Sequence, residues 1–353
     1  MAGLYLHVPS RALAPNAFVT TALAELRHYA DRYDEPIRTI YVGGGRAARL
    51  GLGPLRRLFA AIRSGFETAL EEVTVELNPA DAERAYLEGL RALGVDRLSL
   101  DVRSFHPDDL AALDAPHSAR QAEAALDAVR AAGFERFSVD LVFGWAGQEP
   151  LRWRANLQMA VRLGLPHVAL AECTGDRHPA ANEDARANLY RFAMEYLPAE
   201  GYEHYEVSHF ARPGQRGLHN QRHWDHTNYL GIGPSAHSFW WDELPAFRWA
   251  NVRNAARYAA LLAQRHLPIA HKTPLDRPDL AAEYVLLRLR TRDGLDLDTL
   301  RSRYGVDLAA QKDAALARLL DENYIEPIRD GRVRLTRRGL LVCDAVTQKL
   351  LPD

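Results

Sequence analysis

Six short runs rich in apolar and β-branched residues recur along the first half of the chain: Leu4–Val8, Thr39–Val42, Val73–Leu77, Arg97–Val102, Phe137–Phe143 and His167–Ala171. Between them lie amphipathic stretches with helical spacing, at Phe18–Arg32, Pro54–Ser64, Ala82–Leu93, Ala119–Ala132 and Leu151–Leu163. Strand-length runs joined by helix-length crossovers, at intervals of roughly 30 residues, predict parallel βαβ units with right-handed connections. Six such units predict an α/β fold: an incomplete (β/α)6 barrel with its chemistry at the C-terminal strand ends.

Those strand ends carry the informative residues: His7-Val8-Pro9, Gly43-Gly44-Gly45, Glu76-Leu77-Asn78-Pro79, Asp101 to Phe105 and Asp140 to Gly144. From Gly201 to Trp249 the texture turns rich in Gly, His and aromatic residues, as expected of an extension wrapped over the barrel mouth. After Asp276 three helices are expected, at Leu280–Arg290, Asp296–Tyr304 and Ala309–Asn323. Two short arms follow, joined by Asp330-Gly331, a hairpin-turn dipeptide, and a last helix over Arg338–Leu351. Helices followed by a hairpin predict a winged-helix-like module. The expected division is 1–240 for the partial barrel and extension, 241–275 for a connecting segment and 276–353 for the C-terminal domain.

A formal net charge of -2 argues against polyanion binding, so no nucleic-acid partner is expected. The only cysteines, Cys173 and Cys343, are far apart and belong to no metal-binding spacing, which suits a reducing cytoplasm. No signal-peptide pattern and no apolar run of membrane-spanning length is expected.

The triple glycine Gly43–Gly45 lets backbone amides approach a ligand, or simply makes a tight turn. Glu76, Arg103 and Asp140 are charged groups at strand ends, able to bind a ligand or to neutralise one another at the rim. Histidine density is less ordinary. Six of the 14 histidines fall between positions 204 and 237, interleaved with aromatics, and His219 and His223 are spaced to share a helix face. Imidazoles among aromatics fit a tetrapyrrole or metal site, or else are hydrogen-bonded structural histidines. No GxSxG elbow is present.

As an ordered set, these motifs resemble the oxygen-independent coproporphyrinogen oxidase group of radical-SAM proteins, and within it the HemW heme-chaperone branch. Leu4 to Pro9, Ile40 to Gly45, Glu76 to Pro79, Arg97 to Leu100, Asp140 to Gly144, Gly201 to Glu206, Phe210 to Gly214 and Tyr229 to Gly233 with Ala236-His237-Ser238 all match. His219-Asn220 with Trp224 matches an HNxxYW-like signature of that branch.

The resemblance implies a [4Fe–4S] cluster on CxxxCxxC after the first strand. Here that loop reads Ser10-Arg11-Ala12-Leu13-Ala14-Pro15-Asn16, so no cluster and no radical chemistry is expected. The implied S-adenosylmethionine (SAM) cleft is altered too: Arg46-Ala47 replaces Thr-Pro, Asp101 and Arg103 replace Gly and Gln of GVQSF, and Trp145-Ala146 replaces the first half of LPGQ. Glu76 and Asp140 stand at SAM-contacting positions, so Gly43, Gly44, Gly45, Glu76, Arg103 and Asp140 form a vestigial cleft in which SAM binding is doubtful. The signature is retained, with His223 in place of its Tyr. The expectation is therefore a non-catalytic protein that binds or traffics heme or a related tetrapyrrole through His219, His223, His209 and His237, with His219 and His223 toward heme iron. The alternatives are a regulatory or scaffold pseudoenzyme that binds a protein partner, and an enzyme with repurposed cleft chemistry.

Overall fold

The computed structural model describes residues 2–9, 13–175 and 178–352. In chain order the first elements are β1 (Ala2–Val8), α1 (Pro15–Ala30), β2 (Ile37–Gly44), α2 (Leu52–Gly65), β3 (Thr68–Leu77), α3 (Arg84–Ala92) and β4 (Arg97–Arg103). Then come α4 (Pro107–Ala112), α5 (Ala119–Ala131), β5 (Arg136–Phe143), α6 (Pro150–Arg162), β6 (His167–Glu172), α7 (Glu183–Ala199), β7 (Glu203–Glu206), β8 (His209–Ala211) and α8 (Leu218–Trp224). The remainder is β9 (Tyr229–Ile232), β10 (His237–Trp240), β11 (Ala246–Asn251), α9 (Ala255–Ala263), β12 (Ile269–Leu275), α10 (Arg277–Leu289), β13 (Leu295–Asp296), α11 (Leu297–Tyr304), α12 (Leu308–Gln311), α13 (Asp313–Asp321), β14 (Arg332–Val333), α14 (Arg337–Leu340) and α15 (Cys343–Leu350). All six expected strands and the five helices between them are present.

The residues divide into two compact units, one of residues 1–102, 114–138 and 227–274, the other of 103–113, 139–226 and 275–353. In the first, β1 to β4 run parallel in sequence order, and β9 adds parallel to the outer side of β1. β10 then pairs antiparallel with β9 and β11, so the sheet is mixed. Leu4, Leu6, Val42, Val75, Leu98 and Leu100 are wholly buried, the apolar run expected of strands covered on both faces. The segment 241–275 is itself built of β11, α9 and β12.

In the second unit β5 and β6 are parallel, and the β7–β8 hairpin adds antiparallel to β6. Its helical portion begins at α10, whose start is set by an Asp276/Asp279 capping box. The Asp330-Gly331 turn forms with both residues at positive φ, 54° and 65°, the mirror-image turn that suits a tight hairpin. The arms touch through Ile325–Leu335 and Arg329–Arg332, while β14 pairs with β13, a partner that two residues of strand could not announce. The expected last helix is broken into α14 and α15 at Leu341-Val342, where Val342 (φ -129°, ψ 34°) leaves the helical conformation.

One buried charge organises the first unit. Glu25 on α1 is fully buried, and its carboxylate accepts from the Tyr258 hydroxyl (2.6 Å), the Asn251 amide (2.7 Å) and the Gly233 N–H (3.0 Å). These donors favour the ionised form, but burial outweighs them and pushes the pKa from 4.5 up to about 7. An acid whose folded pKa is raised binds its proton more tightly when folded, so stability should fall as pH rises from 4.5 to about 7. Urea unfolding across that range is expected to show this slope in the wild type and a flatter profile in Glu25→Gln; an identical slope in both would remove Glu25 as its source.

Candidate functional site

The strand-end cleft residues are held by chain-internal contacts. Gly44, at the end of β2, has φ +102°, and its N–H donates to Glu76 Oε2 at 3.3 Å. A Cβ on Gly43 would meet Glu76 Oε2 at 2.5 Å and the Tyr41 ring at 2.6 Å, and one on Gly44 would meet the His7 ring at 2.9 Å. These two glycines are therefore required by the approach of Glu76, Tyr41 and His7. Burial, and behind it the charge of Asp101, raises the Glu76 pKa although the Gly44 N–H opposes it.

Arg103 and Asp140 belong to the second unit. Arg103 adopts φ 63°, an unfavourable conformation for a side-chain-bearing residue. A buried network holds the next residues in place. Ser104 Oγ donates to Asp109 (3.0 Å), Asn156 Nδ2 donates to Ser104 Oγ (2.9 Å), and Phe105 N–H donates to Asn156 Oδ1 (2.7 Å). The Arg103 guanidinium donates to the Leu113 carbonyl at 3.2 Å. Asp140 is half-buried on β5.

The residues of the altered loop at 10–12 lie outside the described residues. The donor set can still be tested against a [4Fe–4S] cluster. Three thiolates are needed for the site implied by the motif, and the whole chain has two cysteines. Cys173 donates its thiol proton to the His178 carbonyl (3.3 Å). Burial, foremost, pushes the Cys343 thiol up to about 11, away from the thiolate form a ligand needs. The residues present do not fit a thiolate-held cluster.

The second unit gathers three of the four singled-out histidines. His209 starts β8, and His219 and His223 lie on α8. His237 is exposed on β10 in the first unit. At the centre is Glu206, the last residue of β7, only 2% exposed. It accepts from His209 Nδ1 (2.7 Å), the Ser208 N–H (2.8 Å) and Arg290 (Nε 3.0 Å, the second nitrogen 2.8 Å). Burial alone would raise its pKa; the hydrogen bond from His209, with Arg290 and Ser208, outweighs burial and lowers it. An ionised carboxylate only accepts, so in the neutral His209 ring the proton sits on Nδ1 and Nε2 carries the lone pair. Asn220 Nδ2 points at that nitrogen from 3.3 Å.

Aromatic rings enclose the imidazole: Trp224 edge-on at 5.0 Å, His167 at 5.5 Å and Tyr205 at 5.9 Å between centroids. His167 Nε2 and the Tyr205 hydroxyl share a 2.7 Å hydrogen bond. The ring of His219, which is buried, and that of His223, half-buried, bring their Nε2 atoms to 3.2 Å. A carboxylate-oriented imidazole with a lone pair on its far nitrogen is the usual preparation of a metal-binding histidine. Sequence reading singled out His209 but not the role of Glu206 and Arg290; the local signal was an acid three residues before a histidine.

Residues 14–159 match the Radical SAM superfamily and residues 275–342 the HemN C-terminal domain. The heme chaperone HemW of Mycobacterium tuberculosis is 34% identical over 381 aligned positions, covering 99% of this chain and 94% of the relative. This chain belongs to the HemW family. The HemW of Lactococcus lactis is 28% identical over 96% of this chain and 90% of its own length. The fold of this HemW-family chain matches that of the Escherichia coli coproporphyrinogen III oxidase HemN, a radical-SAM enzyme, with a TM-score of 0.84 over 99% of this chain and 90% of that one, at 20% identity. The α/β fold with a mixed sheet and a C-terminal helical domain is thereby established.

Replacing Glu206 removes a buried anion and leaves its half-buried partners Arg290 and His209 without it. Glu206→Ala is expected to lower unfolding free energy by about 2 kcal/mol near neutral pH, the order of a lost hydrogen bond to a charged group. Because the Glu206 pKa is lowered on folding, its contribution is present above 4.5 and is lost as pH falls through the folded value. The gap between wild type and variant in urea melts should therefore close in acid; a gap that widened in acid would contradict the assignment.

Proposed function

We propose that this chain binds and passes on heme or a related tetrapyrrole as cargo, without radical-SAM chemistry, in a reducing compartment such as the cytoplasm. Membership of a family whose curated relatives are named heme chaperones supports the cargo. The observation that carries the reading is His209. Its ring is fixed by Glu206, its lone-pair nitrogen is directed away from that carboxylate, and its faces are lined by aromatic groups. Ligation of the iron by Nε2 replaces one hydrogen bond, that from Asn220, while Glu206 goes on holding the tautomer and raises the basicity of the ligand. Trp224, half-buried beside the ring, offers aromatic surface to a flat macrocycle, while the buried Tyr205 and His167 back the imidazole from inside. Of the four histidines expected to meet the cargo, His209 is the iron ligand in this reading.

The absent thiolates support the second half of the reading. Without a thiolate-held cluster this chain has no standard means of delivering an electron to SAM, and its strand-end glycines serve contacts with Glu76, Tyr41 and His7. In the experiment that tests both halves, purified protein is titrated with hemin before and after anaerobic treatment with iron and sulfide. The expected result is a saturable Soret shift at about one heme per chain, equal in both samples, with no 5′-deoxyadenosine formed from added SAM under reduction. Absence of a Soret shift, or uptake that requires the treatment, would overturn it.

A further inference from the structure

His219 and His223 carry an arrangement that the heme reading does not use. They lie one helical turn apart on α8, and their Nε2 atoms approach to 3.2 Å. The rings meet edge-to-face, at 79° with centroids 4.9 Å apart, and it is their Nε2 atoms that are brought together. Two imidazole nitrogens bound to a single ion at about 2.05 Å each stand about 3.3 Å apart at the tetrahedral angle and about 2.9 Å at a right angle. The observed separation falls between those values.

The same distance disfavours a shared heme iron. Axial ligands of a heme oppose each other through the metal, roughly 4 Å apart for bonds of about 2 Å. A second nitrogen at 3.2 Å is instead in the cis direction, where the macrocycle itself would have to lie. His223 stands where the HNxxYW-like signature has Tyr, so the pair is not part of that signature.

We propose that His219 and His223 chelate one late first-row divalent transition-metal ion, of the Cu(II), Ni(II), Zn(II) class, apart from any heme. Imidazole is a preferred donor for these ions, and two histidines spaced i, i+4 on a helix are a known way of presenting a chelating pair. At present the pair shares one proton between the two Nε2 atoms; on binding, the ion takes that position and the donor ring changes tautomer. Water completes the coordination, as no group of three or more His, Cys, Asp or Glu able to hold an ion is found among the described residues. His219 is 3% exposed, so the ion enters from the half-buried His223 side. The inference goes beyond the heme reading and does not rest on it.

The test is calorimetric titration of the full-length protein with Zn(II), repeated with Ni(II), on wild type, His223→Tyr, His219→Gln and His209→Gln. Expected is one ion per wild-type chain, with binding weakened about tenfold or more in His223→Tyr and His219→Gln and unchanged in His209→Gln. The hemin Soret shift of His223→Tyr should equal that of the wild type. If His223→Tyr alters the circular dichroism or melting profile, His223→Gln takes its place. No saturable binding by the wild type, or equal binding by the position-223 variants, would overturn the proposal. Loss of hemin binding with Zn(II) binding intact would strike the heme reading alone.

Discussion

A single buried carboxylate fixes the geometry on which the second unit's chemistry depends. Glu206 sits where β7 turns into β8, and it joins the hairpin to Arg290, 84 residues further along the chain. Its backbone also bridges to Thr291 just after α10. One anion thus ties a hairpin at the sheet edge to the C-terminal helical portion. Taking such a charge out of water costs several kcal/mol, and only a full set of donors offsets that cost. Arg290, Ser208 and His209 are that set. The imidazole is therefore part of the solution to a burial problem, and its orientation follows from it.

The first unit solves a similar problem differently. Glu25 is buried as deeply as Glu206, yet its donors are a hydroxyl, an amide and a backbone N–H, with no cation. Burial wins at Glu25 and loses at Glu206, where the hydrogen bond from His209 and the Arg290 charge tip the balance. The contrast separates the roles. Glu25 ties α1 to α9 and β11, and carries no group poised for a ligand. Glu206 keeps one nitrogen of a neighbouring ring ready to donate.

Much of the fold was legible because it depends on local pattern. Apolar strands with helical crossovers announced β1 to β6, and Asp330-Gly331 announced its turn. β12 was missed because an edge strand with five exposed residues in succession, among them His271, Lys272 and Pro274, shows no alternation. The split of the last helix falls at Leu341-Val342, two apolar residues that carry no helix-breaking signal of their own. The candidate site was half legible. The density of histidines marked the stretch between 204 and 237, and three of the four singled-out residues, His209, His219 and His223, fall in one unit. What distinguishes His209 among them is the hydrogen bond it donates to the Glu206 carboxylate, a residue that nothing in the local sequence marks out beyond its place three positions before a histidine. Its partner Arg290 lies at the end of a distant helix, and no spacing rule links the two.

The most direct test is chemical rescue at position 209. His209→Gly removes the imidazole and leaves a space its size beside Glu206. Ferric-heme absorption spectra of that variant should lack the histidine-ligated Soret band, and added imidazole should restore it, because the carboxylate that orients the ring is still in place. A variant that binds hemin with the wild-type spectrum and needs no imidazole would contradict the assignment of His209 as the iron ligand.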